Sequence, residues 1–347
     1  MIYRRIFRPV LFIFSPETIH YIVVFLIKYF LRIPGVRRLV LNLFNVEEKS
    51  LERNVFGIKF KNPVGLAAGF DKNGEFYKEM AVFGFSFIEI GTVTPLGQPG
   101  NPRPRSFRLP EDRALINRMG LNNHGVVRIA KNIAGNKPEI IIGGNIGKNT
   151  VAPDDYAIDD YITCFKVLHE LVDYFVVNVS CPNIGDIKKL QDADTVLEIL
   201  VRLKELSVKM HVAKPILLKI SPDLNDQQLD EMVEIAFRAG IDGFVATNTT
   251  VSRENLVTPK EKIIAKGEGG LSGKPLRDRS TRVIRYLVEK SGGKLPVIGV
   301  GGIIDPADAI EKLKAGASLV QIYTGFIYEG PFLVKRINKM LLSNKEV

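Results

Sequence analysis

The segment Asn178-Val179-Ser180-Cys181-Pro182-Asn183 carries residues well suited to chemistry, because it places a thiol between two amide side chains. It directly follows an apolar run, Tyr174–Val177, that has the length and composition of a buried strand. Parallel α/β proteins bind ligands at the carboxyl ends of their strands. Cys181 is therefore a candidate catalytic group, and a small buried cysteine at a tight turn is the alternative interpretation.

Four asparagines stand near the ends of apolar runs: Asn117, Asn178, Asn183 and Asn248. A carboxamide both donates and accepts hydrogen bonds, so a group of them suits a flat imide ring in which N–H and C=O groups alternate. A single asparagine is more often a turn or cap residue. Four of them at strand ends favour a binding site for such a ring.

Glycines and a lysine at other strand ends suggest a cofactor that carries a phosphate. Gly301 and Gly302 offer backbone N–H groups at the loops where barrels commonly bind phosphate, and simple turn geometry is the alternative. Lys219 lies within an apolar run, where it either stabilises negative charge on a cofactor ring or is neutralised by a buried acid.

The residue types also argue against several kinds of site. The chain has only two cysteines, Cys164 and Cys181, so we expect neither a disulfide framework nor a spaced cluster of metal ligands. No cluster of histidines or carboxylates stands at the strand ends, which argues against metal hydrolysis and against a paired-carboxylate glycosidase. We therefore expect no metal, and the proton acceptor is Cys181 or a lysine.

Eight short apolar runs must position these residues, and each run is followed by a helical pattern. This alternation is typical of parallel βα units and predicts a closed (β/α)8 TIM barrel of the α/β class. A chain of 347 residues, of which 46% are apolar, can bury one such core. The runs span residues 64–68, 87–91, 140–146, 174–179, 216–220, 243–247, 297–301 and 319–323.

Two further segments belong to the predicted barrel domain, which spans residues 45–347. The alternating stretch 55–60 predicts a small hairpin that covers the bottom of the barrel. The polar insertion 253–270 follows the sixth run and is either a lid over the site or a flexible surface loop.

The first 44 residues differ in composition from the rest of the chain and form a separate N-terminal extension. The net charge of the chain is +10, and this extension holds seven basic residues and one acid, Glu17, between apolar runs. Ser15-Pro16-Glu17 predicts a helix start and Ile33-Pro34-Gly35 its end, about 17 residues that fall short of the ~20 needed to span a bilayer.

We predict that this extension anchors the protein to an anionic membrane surface at its cytoplasmic side. Two ordinary helices packed on the barrel are the alternative. Aromatic residues are not interleaved with the bases as in nucleic-acid-binding proteins, so we do not expect nucleic acid as a partner.

Long motifs distributed along nearly the whole chain identify a resemblance to the dihydroorotate dehydrogenase family. The motifs are Gly65-Leu66-Ala67-Ala68-Gly69-Phe70-Asp71-Lys72, Ile88-Glu89-Ile90-Gly91-Thr92-Val93-Thr94-Pro95, Asn117-Arg118-Met119-Gly120, Asn145-Ile146-Gly147-Lys148-Asn149, Ala246-Thr247-Asn248-Thr249-Thr250, Gly270-Leu271-Ser272-Gly273 and Ile298-Gly299-Val300-Gly301-Gly302-Ile303.

The resemblance implies an FMN-dependent barrel that oxidises dihydroorotate to orotate in pyrimidine synthesis, with Cys181 as the catalytic base. It assigns FMN contacts to Ala68, Gly69, Phe70, Asp71, Lys72, Thr92, Asn145, Asn178, Lys219, Thr247, Gly273, Gly302, Tyr323 and Thr324. It assigns the pyrimidine to Lys72, Asn117, Arg118, Met119, Gly120, Leu121, Asn178, Asn183, Asn248 and Thr249.

Within this family the N-terminal extension is similar to that of the membrane-associated class 2 enzymes, which pass electrons to quinone and need no partner protein. The resemblance places His20, Arg108 and Tyr323 at the inner end of the quinone tunnel. Class 2 enzymes typically use serine as the base, whereas cysteine is typical of the soluble class 1 enzymes, so Cys181 is the main departure. Leu121, where phenylalanine is common, and the loop 184–189 depart as well.

We weight the extension above the base, because exchanging one proton acceptor leaves the site of the electron acceptor untouched. The alternative is a soluble class 1 enzyme that uses fumarate, or NAD through a partner subunit. A non-enzymatic barrel that binds flavin or lipid is a remote alternative, since the strand-end residues are intact.

Overall fold

The computed structural model describes residues 2–135, 140–152, 157–179 and 193–344. Its strands are β1 (Arg53–Val55), β2 (Ile58–Phe60), β3 (Val64–Leu66), β4 (Phe87–Val93), β5 (Leu96–Gln98), β6 (Ser106–Leu109), β7 (Ala114–Asn117), β8 (Asn123–Gly125), β9 (Ile141–Ile146), β10 (Tyr174–Val177), β11 (Ile216–Ile220), β12 (Gly243–Ala246), β13 (Gly270–Gly273), β14 (Val297–Val300) and β15 (Leu319–Ile322).

Eight of these strands close into a parallel barrel and follow one another around it in chain order: β3, β4, β9, β10, β11, β12, β14 and β15. Each coincides with one of the eight apolar runs, so the prediction of a (β/α)8 barrel is confirmed. The runs are continuous rather than alternating because a barrel strand is buried on both faces, inside the barrel and under the helices.

The helices surround the barrel and cover one of its ends. They are α1 (Arg8–Ile13), α2 (Pro16–Phe30), α3 (Val36–Phe44), α4 (Tyr77–Met80), α5 (Val126–Ile133), α6 (Ala157–Leu168), α7 (Ala193–Lys209), α8 (Asp226–Ala239), α9 (Lys260–Ile264), α10 (Arg277–Lys290), α11 (Pro306–Lys314), α12 (Thr324–Glu329) and α13 (Phe332–Ser343).

Helix boundaries follow the caps in the sequence. Ser15 Oγ accepts a hydrogen bond from the Thr18 amide, and α2 begins at the next residue as predicted. Asn225 and Gln228 form a capping box at the start of α8, which ends before Gly240 at φ +65°. The predicted start of α2 at Ser15 is confirmed, and α2 has 15 residues.

Aromatic side chains close the bottom of the barrel. The antiparallel pair β1–β2 forms the predicted hairpin, and its Phe60 ring packs edge-on against Phe87 inside the barrel, with ring centroids 5.2 Å apart. Gly65 and Gly143 leave room for this layer, because a Cβ at either position would lie 2.3 Å from the ring of Phe87 or Tyr174. The hydrophobic floor leaves the upper half of the barrel for polar residues.

A three-stranded sheet, β13-β7-β6, stands beside the barrel and holds the insertion 253–270. Asp112 accepts a hydrogen bond from the Val257 amide at 2.6 Å, and the Arg118 guanidinium donates to the Glu268 carbonyl at 3.0 Å. The insertion is thus bonded to the sheet at both of its ends, and its role as a lid stays a prediction.

The N-terminal extension packs on the barrel through polar contacts. The Tyr3 hydroxyl donates to the Ile327 carbonyl at 2.7 Å, and Glu17 binds the buried Arg105 guanidinium at 2.8 Å. None of the helices in the described part of the chain is long and apolar enough to cross a membrane alone. The segments Tyr3–Ile13 and Pro16–Phe30 reach that length and hydropathy only together, with a 120° bend between them.

Candidate active site

A cavity opens at the carboxyl ends of the barrel strands, and most of the predicted site residues line it. The predicted cofactor contacts on its wall are Ala68, Gly69, Lys72, Thr92, Asn145, Asn178, Lys219, Thr247, Gly273, Gly302, Tyr323 and Thr324. The predicted pyrimidine contacts on its wall are Lys72, Asn117, Met119, Gly120, Leu121, Asn178, Asn248 and Thr249.

Other predicted site residues lie elsewhere. Phe70 and Asp71 line a second cavity, and the buried Asp71 carboxylate accepts the Glu75 and Phe76 amides at 2.9 Å each. Arg118 points to the insertion and donates to the Glu268 and Pro104 carbonyls. Cys181 and Asn183 are outside the described residues.

A chain of hydrogen bonds crosses the floor of the first cavity. Asn248 donates to Asn178 Oδ1 at 3.3 Å, Asn178 donates to Thr92 Oγ1 at 2.9 Å, and Thr92 donates to Asn145 Oδ1 at 2.6 Å. The chain ends where Asn145 Nδ2 donates to Glu89 Oε1 at 2.8 Å. These residues come from four different barrel strands, β4, β9, β10 and β12, and their ends, and barrel closure brings them together.

Glu89 is a site residue that the sequence analysis did not single out. Its carboxylate is fully buried and lies 3.9 Å from Lys219 Nζ, while its second oxygen accepts from Gln321 Nε2 at 2.6 Å. Burial lowers the pKa of Lys219, and the Glu89 charge opposes that shift. The sequence left two roles open for Lys219, contact with a cofactor ring and neutralisation by a buried acid. In the structure Lys219 both lines the cavity and lies beside the buried Glu89. The available signal was an acid inside the apolar run Phe87-Ile88-Glu89-Ile90.

Lys72 stands where the first cavity meets the second. Its ammonium donates to the Gly69 carbonyl at 2.8 Å. Burial lowers the pKa of Lys72 to about 8, and the nearby Arg105 charge lowers it further, against the opposing effect of Glu17. A cation at this boundary suits a carboxylate ligand in the first cavity.

The second cavity has a volume of about 600 Å³ and lies between the N-terminal helices and the barrel. Its wall is largely apolar and includes all three predicted quinone-site residues, His20, Arg108 and Tyr323. Burial lowers the pKa of His20 to about 4, and the Lys72 charge adds to that shift, so this imidazole is neutral at physiological pH. The Arg108 guanidinium lies 4.3 Å from the centre of the Phe12 ring.

The two cavities share part of their walls. The residues common to both are Gly69, Lys72, Asn117, Met119, Ser272 and Tyr323. The barrel chamber, polar in its amide and lysine side chains, therefore adjoins an apolar chamber under the extension. This arrangement suits transfer of electrons between a polar donor and an apolar acceptor.

The wall of the first cavity fits a flavin. Thr247 Oγ1 is buried and has no hydrogen-bond partner within the described residues, as expected of an atom that a ligand would satisfy. Amide groups and Lys219 supply donors and acceptors for the ring, and Gly301 and Gly302 lie where its phosphate would bind.

Comparisons with known proteins agree with one another. Residues 50–344 match the family model described as dihydroorotate dehydrogenase. Proteins named dihydroorotate dehydrogenase (quinone) are 52% identical in Christiangramia forsetii, covering 98% of both chains, and 44% identical in Cellvibrio japonicus, covering 94% of both chains. A crystal structure of an Eimeria tenella DHODH in complex with ferulenol has a TM-score of 0.83 at 33% identity, covering 94% of this chain and 91% of that chain.

Proposed function

Because this chain belongs to the dihydroorotate dehydrogenase family, we propose that it oxidises dihydroorotate to orotate and passes the electrons to a quinone. The observation that carries this proposal is the pair of adjoining cavities, one polar and one apolar, that meet at Lys72 and Tyr323. The reaction is a redox step of pyrimidine synthesis.

FMN is the flavin that we expect in the first cavity. When bound, it accepts a hydride from dihydroorotate and supplies two electrons to the quinone. Lys219, Asn145, Asn178 and Thr247 are the side chains of this chain that would hold its ring, and Gly302 with Thr324 would hold its phosphate.

The Cys181 thiolate would take the proton from the substrate carbon next to the ring carbonyl, while a hydride leaves the neighbouring carbon. The new C=C bond of orotate forms from the electron pair of the broken C–H bond. The thiol then releases its proton to solvent. The quinone gains two electrons and two protons, so dihydroorotate and quinone become orotate and quinol. A thiol with an ordinary pKa of ~8.5 is a much easier base than a serine hydroxyl.

The remaining pyrimidine contacts follow from the chemistry of the wall. Lys72 would pair with the substrate carboxylate, and the carboxamides of Asn117 and Asn248 would bind the imide edge of its ring. Asn183, outside the described residues, would contribute a fourth amide.

The N-terminal extension would dock on the cytoplasmic face of the cell membrane, without a partner protein. Ile13, Phe25 and Leu39 are 68–78% exposed, and Arg37 and Arg38, which precede Leu39, are exposed as well. Apolar side chains that insert into the headgroup region, with basic residues near anionic lipids, favour an interfacial position. A quinone could then enter the apolar cavity directly from the membrane.

The test is a pair of half-reactions on the purified yellow protein. Dihydroorotate added without oxygen should bleach the flavin and yield one orotate per flavin, and a quinone added afterwards should restore the colour. A protein whose flavin is not bleached by dihydroorotate would contradict the proposed function.

A further inference from the structure

Glu89 occupies the interior of the barrel directly below the first cavity. Successive residues of a strand face opposite sides, and Phe87 belongs to the cluster that fills the barrel, whereas Ile88 and Ile90 pack under the outer helices. Glu89 therefore points inward from β4, one layer above the aromatic floor. Its carboxylate has no exposed surface.

Two hydrogen-bond donors and a lysine near this carboxylate belong to the cavity wall. Asn145 and Gln321 donate to its two oxygens at 2.8 and 2.6 Å, and Lys219 Nζ lies 3.9 Å away. All three line the first cavity. A buried carboxylate is tolerated only when donors or a counter-ion offset its desolvation, so these three contacts explain how Glu89 can be buried.

The same carboxylate fixes the direction of the hydrogen-bond chain. A carboxylate can only accept, so Asn145 must turn its Nδ2 towards Glu89 and its Oδ1 towards the Thr92 hydroxyl. Thr92 Oγ1 is then free to accept from Asn178, which in turn accepts from Asn248. One buried charge thus orients the amides through four successive hydrogen bonds.

Glu89 also sets the charge beneath the cavity. Lys219 alone would leave a positive charge there, which would favour reduction of a bound flavin, because reduction adds electrons to the ring. The Glu89 carboxylate cancels much of that charge within a low-dielectric interior. The Glu89 carboxylate therefore makes the reduced flavin easier to oxidise.

We propose that Glu89 is a positioning residue that orients the amides of the flavin pocket and, by neutralising Lys219, lowers the reduction potential of the bound flavin. This inference rests on the proposed function, because it requires a flavin in the first cavity. A lower reduction potential makes reduction of the flavin by dihydroorotate less favourable and its oxidation by quinone more favourable. Glu89 would therefore set the relative driving forces of these two half-reactions.

Redox titration of the holoenzyme with a dye of known potential tests this without using the substrate. Glu89→Gln keeps the size of the side chain and removes its charge, so we expect the flavin potential to shift to a more positive value. Reoxidation of the flavin by quinone should slow, while Glu89→Asp, which keeps the charge, should stay near the wild-type potential.

The matched control is Asp112→Asn, which removes another buried carboxylate, one that binds the insertion and lies outside the first cavity. Its flavin potential should equal that of the wild type. A Glu89→Gln enzyme that retains its flavin at the wild-type potential would overturn the inference. A wild-type protein that binds no flavin would instead overturn the proposed function.

If Glu89→Gln fails to fold, the double variant Glu89→Gln with Lys219→Gln leaves no unpaired charge and can be compared with Lys219→Gln alone. The flavin potential of the double variant should be the more positive of the two. Equal potentials in these variants would mean that the Glu89 charge does not act on the flavin.

Discussion

The Tyr323 hydroxyl donates to the Gly69 carbonyl at 3.4 Å, and both residues line the polar and the apolar cavity. Burial raises the pKa of Tyr323 to about 12, so this phenol stays protonated at physiological pH and keeps its donor. The same carbonyl accepts from Lys72. Two half-buried side chains thus bind the same backbone carbonyl at the boundary between the two cavities.

Lys72 should give the reaction an alkaline limit. Its pKa of about 8 means that the ammonium is present below that pH and is lost above it. The kcat/KM for dihydroorotate should therefore fall as the pH rises above about 8, because the substrate carboxylate loses its cation. Lys72→Met should abolish this alkaline limb and lower kcat/KM by about 10–100-fold, the range for a lost charged hydrogen bond.

Steady-state rates between about pH 6 and 10 measure this effect. Lys59→Met is the matched control, because Lys59 is 65% exposed and pairs with Glu52 at the bottom of the barrel. It should leave the pH profile unchanged. An alkaline limb that persists in Lys72→Met would assign that limb to another group.

Cys181 should set the acidic limb of the pH profile for substrate-dependent bleaching of the flavin. A thiol with an ordinary pKa of ~8.5 becomes a thiolate as the pH approaches that value, so substrate-dependent bleaching of the flavin should rise with pH and level off above it, a flatter profile than a hydroxyl base gives. Cys181→Ser should slow the bleaching by about 10²–10⁴-fold at neutral pH and make it rise more steeply with pH, because a hydroxyl is a poorer base. Stopped-flow absorbance follows the bleaching, and a variant with the wild-type rate and pH profile would exclude Cys181 as the base.

Thr247 should contribute to flavin binding through a hydroxyl that has no hydrogen-bond partner among the described residues. Thr247→Val keeps the shape of the side chain and removes this buried Oγ1. The Kd of the flavin should rise by roughly 5–50-fold, as expected for one lost hydrogen bond of about 1–2 kcal/mol. Fluorescence titration of the apoprotein with FMN measures this Kd, and Thr150→Val, at an exposed site, is the control.

The basic residues of the extension should govern binding to anionic lipid. Replacing Arg32, Arg37 and Arg38 by glutamine should weaken binding to vesicles with phosphatidylserine by roughly 100-fold, since each base near a membrane contributes about 1 kcal/mol. Binding to neutral vesicles should change little. Sedimentation with vesicles measures both.

A control of equal charge loss combines Arg202→Gln, Arg238→Gln and Lys290→Gln, at sites that are 49–58% exposed on the outer helices. If that control loses as much vesicle affinity as the first triple variant, overall charge rather than the extension would explain membrane binding.

The barrel could be predicted from sequence because its strands are buried on both faces and so form continuous apolar runs, each followed by a helical pattern. Glu89 could not, because its three neighbours come from three other strands and meet it only when the barrel closes. An acid within an apolar run does not indicate which residues of other strands it will contact.

A sequence motif also does not show into which cavity each of its side chains points. Gly69 and Lys72 line the first cavity, whereas Phe70 and Asp71, between them, face only the second. Phe70 packs edge-on against His20, and Asp71 caps the amides that follow it. A motif read as a unit assigns all four residues to one ligand, while the turn distributes them between two cavities.

The most direct test of the central claim is orotate formation by the purified holoenzyme with a soluble quinone, beside fumarate and NAD⁺ as alternative acceptors. We predict turnover with the quinone alone, because the cavity that shares Lys72 and Tyr323 with the polar chamber is apolar. Turnover with fumarate or NAD⁺ and none with the quinone would contradict the account and mean that Cys181, rather than the extension, indicates the class of the enzyme.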